Sequence, residues 1–503
     1  MTIYNINMGI GWASSGVEYA QAYRSNIFKK NKQDAKFIFT EFFRENIQPM
    51  TQNIGFEDHE VIVMLQSFTD VKVSPTTYSL EDLEQSFSMK ASEVTKSADR
   101  VVYVLNDGAI YLTAYLDKTH QDKVYKTEWV VRGKLIQRDY YSYVKTYSEY
   151  FKPVDNKARL YQRRFFNQDG SVAYEELLNG DESLYLFKDR TIYSKRALLE
   201  YFIESLNLTS EDMIIIDRST GQGAEILKAK GPAKVGIIIH AEHYNEGLTT
   251  RDKILWNNHY DYVFTNASSI DFYICATEKQ KEILGQQFLD YKKITSRIEA
   301  IPVGSLDRLK KQAKRKSNSL ITASRLAGEK HLDWLVRAVI QARESIQDLT
   351  LDIYGRGPEE GKLREIIAAH DAGDYIRLMG QQNLDDVYKN YTSYVSASTS
   401  EGFGLTLLEA VGSGLGMVGF DVPYGNQTFI REDENGYLVP YVRNEEEENI
   451  AGLTRAIIQL QEKEEDAKGL SGVQKVSYAL AEPFLTKHIQ KKWKNIEEEM
   501  CHD

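Results

Sequence analysis

The sequence predicts an α/β chain in which parallel sheets carry helices between their strands and an antiparallel β-meander interrupts the first of them. Three observations predict it. Near-continuous apolar runs such as Met213–Ile216 and Val235–Ile239 have the character of parallel strands covered on both faces. A second series of runs follows, Ser319–Ala323, Leu349–Tyr354, Ile376–Met379, Ser393–Ala397 and Gly416–Gly419, with helical stretches between them. Between residues 75 and 190 the pattern changes to short β-type segments separated by Asp107-Gly108, Arg132-Gly133, Asp169-Gly170 and Asn179-Gly180, the turn pairs of hairpins.

In chain order, Ala35–Phe39 and Val61–Leu65 read as strands among helix-like segments, and Ser15-Gly16-Val17-Glu18-Tyr19 reads as a glycine-bearing loop entering a helix. The meander is expected to contain Val101–Val104, Ile110–Leu112, Glu128–Val131, Ala158–Phe166 and Ser183–Phe187. It is an insertion, because the parallel pattern resumes after it: Met213–Ile216 ends in Asp217, Val235–Ile239 ends in His240, and Tyr262–Phe264 and Phe272–Cys275 read as further strands. Ala300–Gly304 marks a domain crossing. The expected boundaries are 1–74 for the first part of an N-terminal α/β domain, 75–190 for the meander, 191–302 for the second part of that domain, 303–483 for a C-terminal α/β domain, and 484–503 for a polar C-terminal helix ending in the solvated run Glu497–Glu499.

With 503 residues the chain exceeds one hydrophobic core and is expected to form two or three domains. A net charge of -11 argues against a nucleic-acid partner. The basic run Lys310, Lys311, Lys314, Arg315, Lys316 reads as a solvated linker face. The two cysteines, Cys275 and Cys501, are too few for a disulfide framework or a structural zinc site and fit a reducing cytoplasm. The N-terminal segment lacks the pattern of a signal peptide, and no apolar run approaches the ~20 residues of a membrane span. Peripheral association with the inner face of the cell membrane is left open.

Four pieces of the C-terminal half each stand where a strand ends, which is the ligand-binding edge of an open parallel sheet. In Ser324-Arg325-Leu326-Ala327-Gly328-Glu329-Lys330-His331, two cations suit a diphosphate leaving group, although a solvated loop has the same composition. Tyr354-Gly355-Arg356-Gly357 allows a tight turn near a ligand, or a plain turn. Leu378-Met379-Gly380-Gln381-Gln382 could grip a nucleobase through its backbone. Ser400-Glu401-Gly402-Phe403-Gly404-Leu405-Thr406-Leu407-Leu408-Glu409-Ala410 is the most specific: Glu401 stands at a glycine-opened loop tip, Glu409 lies two helical turns on, and the amides of Gly402–Leu405 face outward at a helix start, where a diphosphate is favoured.

In this order, ending in Glu-x7-Glu, the pieces resemble the donor domain of the retaining glycosyltransferases of family 4, which have the GT-B fold of two Rossmann-like domains. The resemblance implies that Arg325 and Lys330 neutralise the departing diphosphate, that Glu401 binds the donor sugar, that Glu409 binds the ribose, and that Gln381 and Gln382 lie near the base. It places Gly16 at the phosphates and His240 at the donor sugar, with His243 as the competing histidine. It also implies front-face displacement with retention and no metal, and no Asp-x-Asp stands at a strand end here. The opening Ile6–Ala20, the meander and Glu401–Glu409 further resemble the GtfA subunits of bacterial O-GlcNAc transferases. That resemblance implies a UDP-N-acetylglucosamine donor, a serine-rich repeat adhesin modified in the cytoplasm before export by the accessory Sec system, and a related non-catalytic GtfB-like subunit as partner. The Tyr- and Thr-rich meander is then expected to bind acceptor or partner. A wall teichoic acid glycosyltransferase and a non-catalytic chaperone-like subunit are the competing readings. The presence of Arg325, Lys330, Glu401 and Glu409 together favours catalysis.

Overall fold

The structure, a computed structural model, describes residues 1–12, 16–118, 120–312 and 314–502, the side chains of 501 and 502 excepted. Ala13, Ser14 and Ser15, which belong to the opening motif and the glycine loop, lie outside the described residues. The chain divides into two compact units, one of Met1–Ser25, Gln33–Gly236 and Tyr262–Ile270, the other of Asn26–Lys32, Ile237–Asp261 and Asp271–Asp503.

In the first unit, Ile3–Asn7 pairs in parallel with Ala35–Phe39 on one side and with Met213–Ile216 on the other, and Ala35–Phe39 pairs in parallel with Val61–Val63. All four residues of Met213–Ile216 are buried, as expected of a strand covered on both faces. Tyr262–Phe264 is not a strand: Asp261–Thr265 is a short helix that buries Val263 and Phe264 and exposes Tyr262. A three-residue apolar run carries no periodicity, so the sequence could not separate the two forms.

The inserted sheet has ten strands in meander order, from Glu93–Lys96 to Thr191–Ile192. The turn pairs mark its hairpins, with Asp107, Gly108, Arg132, Gly133, Gly170 and Gly180 all at positive φ. The sequence reading omitted the strands Glu93–Lys96, Lys134–Tyr141, Lys145–Val154, Val172–Asn179 and Thr191–Ile192, several of which carry charges on both faces. Five rings from successive strands, Tyr140, Tyr147, Phe165, Tyr174 and Phe187, stack in a ladder with centroids 4.4 to 5.5 Å apart. The ladder faces the parallel sheet. Tyr174 donates to the Leu65 carbonyl at 2.6 Å, Tyr147 donates to the Arg44 carbonyl, and Phe68 stacks on Tyr201 beside Phe187. The helix Leu80–Gln85, capped by Ser79 and Asp82, covers the other end of the meander, where Leu83 joins the buried cluster that includes Val101, Tyr103 and Leu112.

In the second unit, a six-stranded parallel sheet runs in the spatial order Ile376–Gly380, Thr350–Tyr354, Ser319–Ala323, Ser393–Val395, Gly416–Phe420, Gly436–Val439. Chain order therefore reverses between Ser319–Ala323 and Ser393–Val395, which opens a crevice beyond their carboxyl ends. The C-terminal helix Thr486–His502 is amphipathic and buries Ile489, Trp493, Ile496 and Met500. Glu497 is buried too, at 8% exposure, and burial pushes its carboxyl up to about 7, so the acidic end is not uniformly solvated. The basic run is also divided. Arg315 donates to the carbonyls of Tyr391, Ser413 and Gly414, clasping the end of the helix Leu405–Gly412, and Lys310 pairs with Asp385 at 2.7 Å, while Lys311, Lys314 and Lys316 are exposed.

Candidate functional site

At the crevice of the strand-order reversal an ion pair joins two loops of the second unit. The loop after Ser319–Ala323 turns through Gly328–Lys330 and enters the helix Leu332–Ala342. It delivers Lys330 to Glu401, on the loop after Ser393–Val395: Lys330 Nζ is 2.7 Å from Glu401 Oε2 and 3.3 Å from Ser398 Oγ. Their side chains are 18% and 21% exposed, so the pair is sheltered yet open to a ligand. Arg325, from the same loop, turns outward and pairs with Glu329 at 2.8 Å. The two cations expected at one strand end are thus present but face different carboxylates.

The glycine loop beyond Thr350–Tyr354 braces this one. Ser324 and Leu326 donate from their amides to the carbonyls of Tyr354 and Arg356 at 3.1 and 3.0 Å. Gly355 has φ +140°, and a Cβ there would overlap the Ser324 carbonyl. Gly380 ends the strand Ile376–Gly380 at φ +69°, with Gln381 and Gln382 exposed beside it and Gln382 bonded to the Met379 carbonyl at 2.8 Å.

Glu401, Gly402 and Phe403 lead to Gly404 at φ +79°, the N-cap of the helix Leu405–Gly412. Phe403 is buried against Phe429 and Phe484 and pins the loop. Glu409 lies on this helix, and burial pushes its carboxyl up to about 7 against a hydrogen bond from Tyr388 and the charge of Lys310.

The expected histidines differ in setting. His240 follows the strand Lys234–Ile239 and is partly exposed; its amide donates to the Tyr260 hydroxyl at 2.9 Å. A Cβ on Gly402 would stand 3.0 Å from the His240 carbonyl oxygen, so the Glu401 loop lies directly against the His240 backbone. His243 is fully buried, bonded through Nε2 to Gln287 at 2.8 Å and through Nδ1 to the Tyr424 hydroxyl at 3.2 Å. Burial lowers its pKa to about 4, so the ring is neutral. In the first unit, Gly16 begins the helix Gly16–Asn31.

Sequence reasoning missed Tyr424 and Glu242. Tyr424 donates to Glu242 Oε1 at 2.5 Å, and the amides of Tyr424 and Gly425 both donate to the Glu401 carbonyl at 2.9 Å. The available signal was Pro423-Tyr424-Gly425 just beyond the apolar run Gly416–Phe420, at the same sheet edge. Among the described residues, no group of three or more His, Cys, Asp or Glu is placed to hold a metal ion, and no helix is long and apolar enough to cross a membrane.

Comparison with known proteins places these features in a family. The GtfA extended beta-sheet domain matches residues 93–189, and the group 1 glycosyl transferases match residues 306–471. The UDP-N-acetylglucosamine--peptide N-acetylglucosaminyltransferase GtfA subunit of Streptococcus pneumoniae is 49% identical over 507 residues, covering all of both chains. The crystal structure of the pneumococcal O-GlcNAc transferase GtfA in complex with UDP and GlcNAc superposes with a TM-score of 0.93 at 48% identity, covering 100% of this chain and 99% of that one. The GtfA/B complex matches at a TM-score of 0.95 and 48% identity, with both chains fully covered. The architecture is GT-B, with the antiparallel sheet inserted.

Proposed function

Because this chain belongs to the family of GtfA subunits of UDP-N-acetylglucosamine--peptide N-acetylglucosaminyltransferases, we propose that it transfers N-acetylglucosamine from UDP-N-acetylglucosamine to Ser and Thr hydroxyls of a serine-rich repeat adhesin. It is a glycosyltransferase, and a GtfB-like subunit is its partner in this reading. The adhesin is modified in the cytoplasm before export by the accessory Sec system, with the enzyme free or peripheral at the inner face of the membrane.

The observation that carries the reading is the meeting of Lys330 and Glu401 at the strand-order reversal, with Glu409 on the helix that begins there. Lys330 supplies positive charge where the diphosphate departs, and Arg325 swings from Glu329 to add a bidentate partner. Glu401 accepts from donor-sugar hydroxyls, and Glu409 accepts from the ribose. The amides of Gly402, Phe403, Gly404 and Leu405 face the diphosphate. Gln381 and Gln382 border the base, Gly16 belongs to the phosphate site, and His240, rather than the buried His243, approaches the sugar. The leaving phosphate takes the acceptor hydroxyl's proton as the new bond forms on the same face of the sugar. No metal is required.

Mass spectrometry tests this. The chain, its GtfB-like partner and a Ser/Thr-rich repeat protein are incubated with UDP-N-acetylglucosamine and EDTA. An added N-acetylhexosamine mass that disappears with Glu401→Ala is the expected result. UDP binding without any added mass would refute the protein acceptor and point to a wall polymer.

A further inference from the structure

Resting on the transfer reading above, we propose that Tyr424 is a positioning residue whose hydroxyl, held by Glu242 and His243, sets the separation of Glu401 from His240. The inference comes from a closed frame of contacts, each side of which is short. The first side is backbone: the amides of Tyr424 and Gly425 both donate to the Glu401 carbonyl at 2.9 Å, so Glu401 cannot shift without Tyr424. The second is the Tyr424 side chain, which is 1% exposed and reaches Glu242 Oε1 at 2.5 Å and His243 Nδ1 at 3.2 Å. The third is the chain itself, because Glu242 and His243 follow His240 by two and three residues. The fourth closes the frame: Gly402 packs on the His240 carbonyl so closely that an added Cβ would be 3.0 Å away.

The partners of the frame are themselves fixed. His243 Nε2 meets Gln287 Oε1 at 2.8 Å, which assigns the proton to Nε2 and leaves Nδ1 as an acceptor. Tyr424 thus presents one proton to two acceptors, with the carboxylate the nearer. Gln280 donates to the Ala241 carbonyl at 3.0 Å, and the Tyr260 hydroxyl accepts from the amides of His240 and Ala241 at 2.9 and 3.1 Å. The segment from His240 to His243 is therefore held by several hydrogen bonds, and Tyr424 links it through a side chain to the Glu401 loop. Tyr424 does not touch the reacting atoms in this account. It acts through the two residues that do, and displacement of about 1 Å at such a pair costs up to about a hundredfold in rate.

The test uses the full chain with its GtfB-like partner, UDP-N-acetylglucosamine and the repeat-protein acceptor. Tyr424→Phe keeps the ring and removes the hydroxyl. It is expected to lower kcat about tenfold to a hundredfold while the Kd for UDP stays at the wild-type value and the melting temperature falls by only a few degrees, about the worth of one buried hydrogen bond. Glu242→Gln, which keeps an acceptor oxygen, is expected to lose less, and the double variant to be no slower than Tyr424→Phe alone, because both act through one contact. A wild-type kcat in Tyr424→Phe overturns the proposal. So does a loss of kcat matched by equal losses in UDP affinity and melting temperature, which is the signature of a merely structural tyrosine. If Tyr424→Phe does not fold, Glu242→Gln decides: lower kcat at an unchanged melting temperature supports the frame, and an unchanged kcat overturns it. A wild-type chain that transfers nothing overturns the transfer reading and the proposal together, whereas a wild-type rate in Tyr424→Phe overturns the proposal alone.

Discussion

Lys330 Nζ lies 2.7 Å from Glu401 Oε2 across the point where the strand order of the second unit reverses. The two residues are 71 positions apart and meet only because Ser319–Ala323 and Ser393–Val395 are neighbours in the sheet. Each side chain holds the other at that crevice. Glu401→Ala and Lys330→Ala are each expected to lower kcat about a hundredfold to a thousandfold. Because the pair is partly exposed, thermal melting should shift by only a few degrees, about the worth of one charged hydrogen bond. Near-normal turnover in either variant, by mass spectrometry of the acceptor, would remove that residue from the reaction.

Glu409 gives a pH dependence. Its carboxyl is raised to about 7 by burial, so it is protonated below that pH and ionised above it. An ionised carboxylate accepts from ribose hydroxyls more strongly than a protonated one. Affinity for uridine, which has no phosphate to titrate, should therefore rise as pH passes upward through about 7 and level off above it, and calorimetry across that range measures it. Glu409→Gln should flatten the profile; an unchanged profile would place the titration elsewhere. Stability runs the other way. A carboxyl whose folded pKa exceeds its ordinary 4.5 contributes most at low pH, and that contribution is lost as pH rises through about 7.

Gly355 should be irreplaceable. Its φ of +140° disfavours any side chain, and a Cβ would overlap the Ser324 carbonyl that shapes the Lys330 loop. Gly355→Ala is expected to cost about 2–4 kcal/mol through strain and displacement. Chemical denaturation reads the loss of stability, and the same shift of the Ser324–Lys330 loop should weaken UDP binding. Gly361→Ala, where a Cβ meets nothing within 4 Å in the helix Glu360–Ala369, is the control and should be neutral to slightly stabilising.

What was legible in the sequence follows the strength of the local signal. The parallel strands of the second unit were readable because each is a near-continuous apolar run, and the meander turns because Asp-Gly and Asn-Gly pairs favour positive φ. Glu401 and Glu409 stood out because glycines and an apolar helix start frame them within one short segment. Lys145–Val154 was not readable, since its alternation is broken by Glu149, Lys152 and Pro153, and Glu149 is buried through Tyr140 and Arg163, partners on the two neighbouring strands. Arg315 looked like part of a basic linker because nothing local shows that its guanidinium meets the carbonyls of Ser413 and Gly414. Tyr424 was invisible for the same reason: its partners, Glu242 and His243, lie 182 and 181 residues away.

The tyrosines of the meander separate into two populations that mutation should distinguish. Tyr174 is 1% exposed, is the fourth ring of the five-ring ladder, between Phe165 and Phe187, and donates to the Leu65 carbonyl of the neighbouring parallel-sheet layer. Tyr161, one strand away, is 36% exposed on the sheet. Tyr174→Ala removes a buried ring from between two stacked neighbours and is expected to cost about 3–5 kcal/mol, as other buried aromatics do. Tyr174→Phe, which keeps the stack and loses the hydroxyl, should cost about 1 kcal/mol. Tyr161→Ala should stay within about 0.5 kcal/mol. Denaturant titration of the three variants measures the differences. Equal effects from Tyr174→Ala and Tyr161→Ala would mean that the ladder does not brace the first unit. A large effect of Tyr161→Ala on acceptor or partner binding, with stability unchanged, would assign the solvent face of the sheet to recognition.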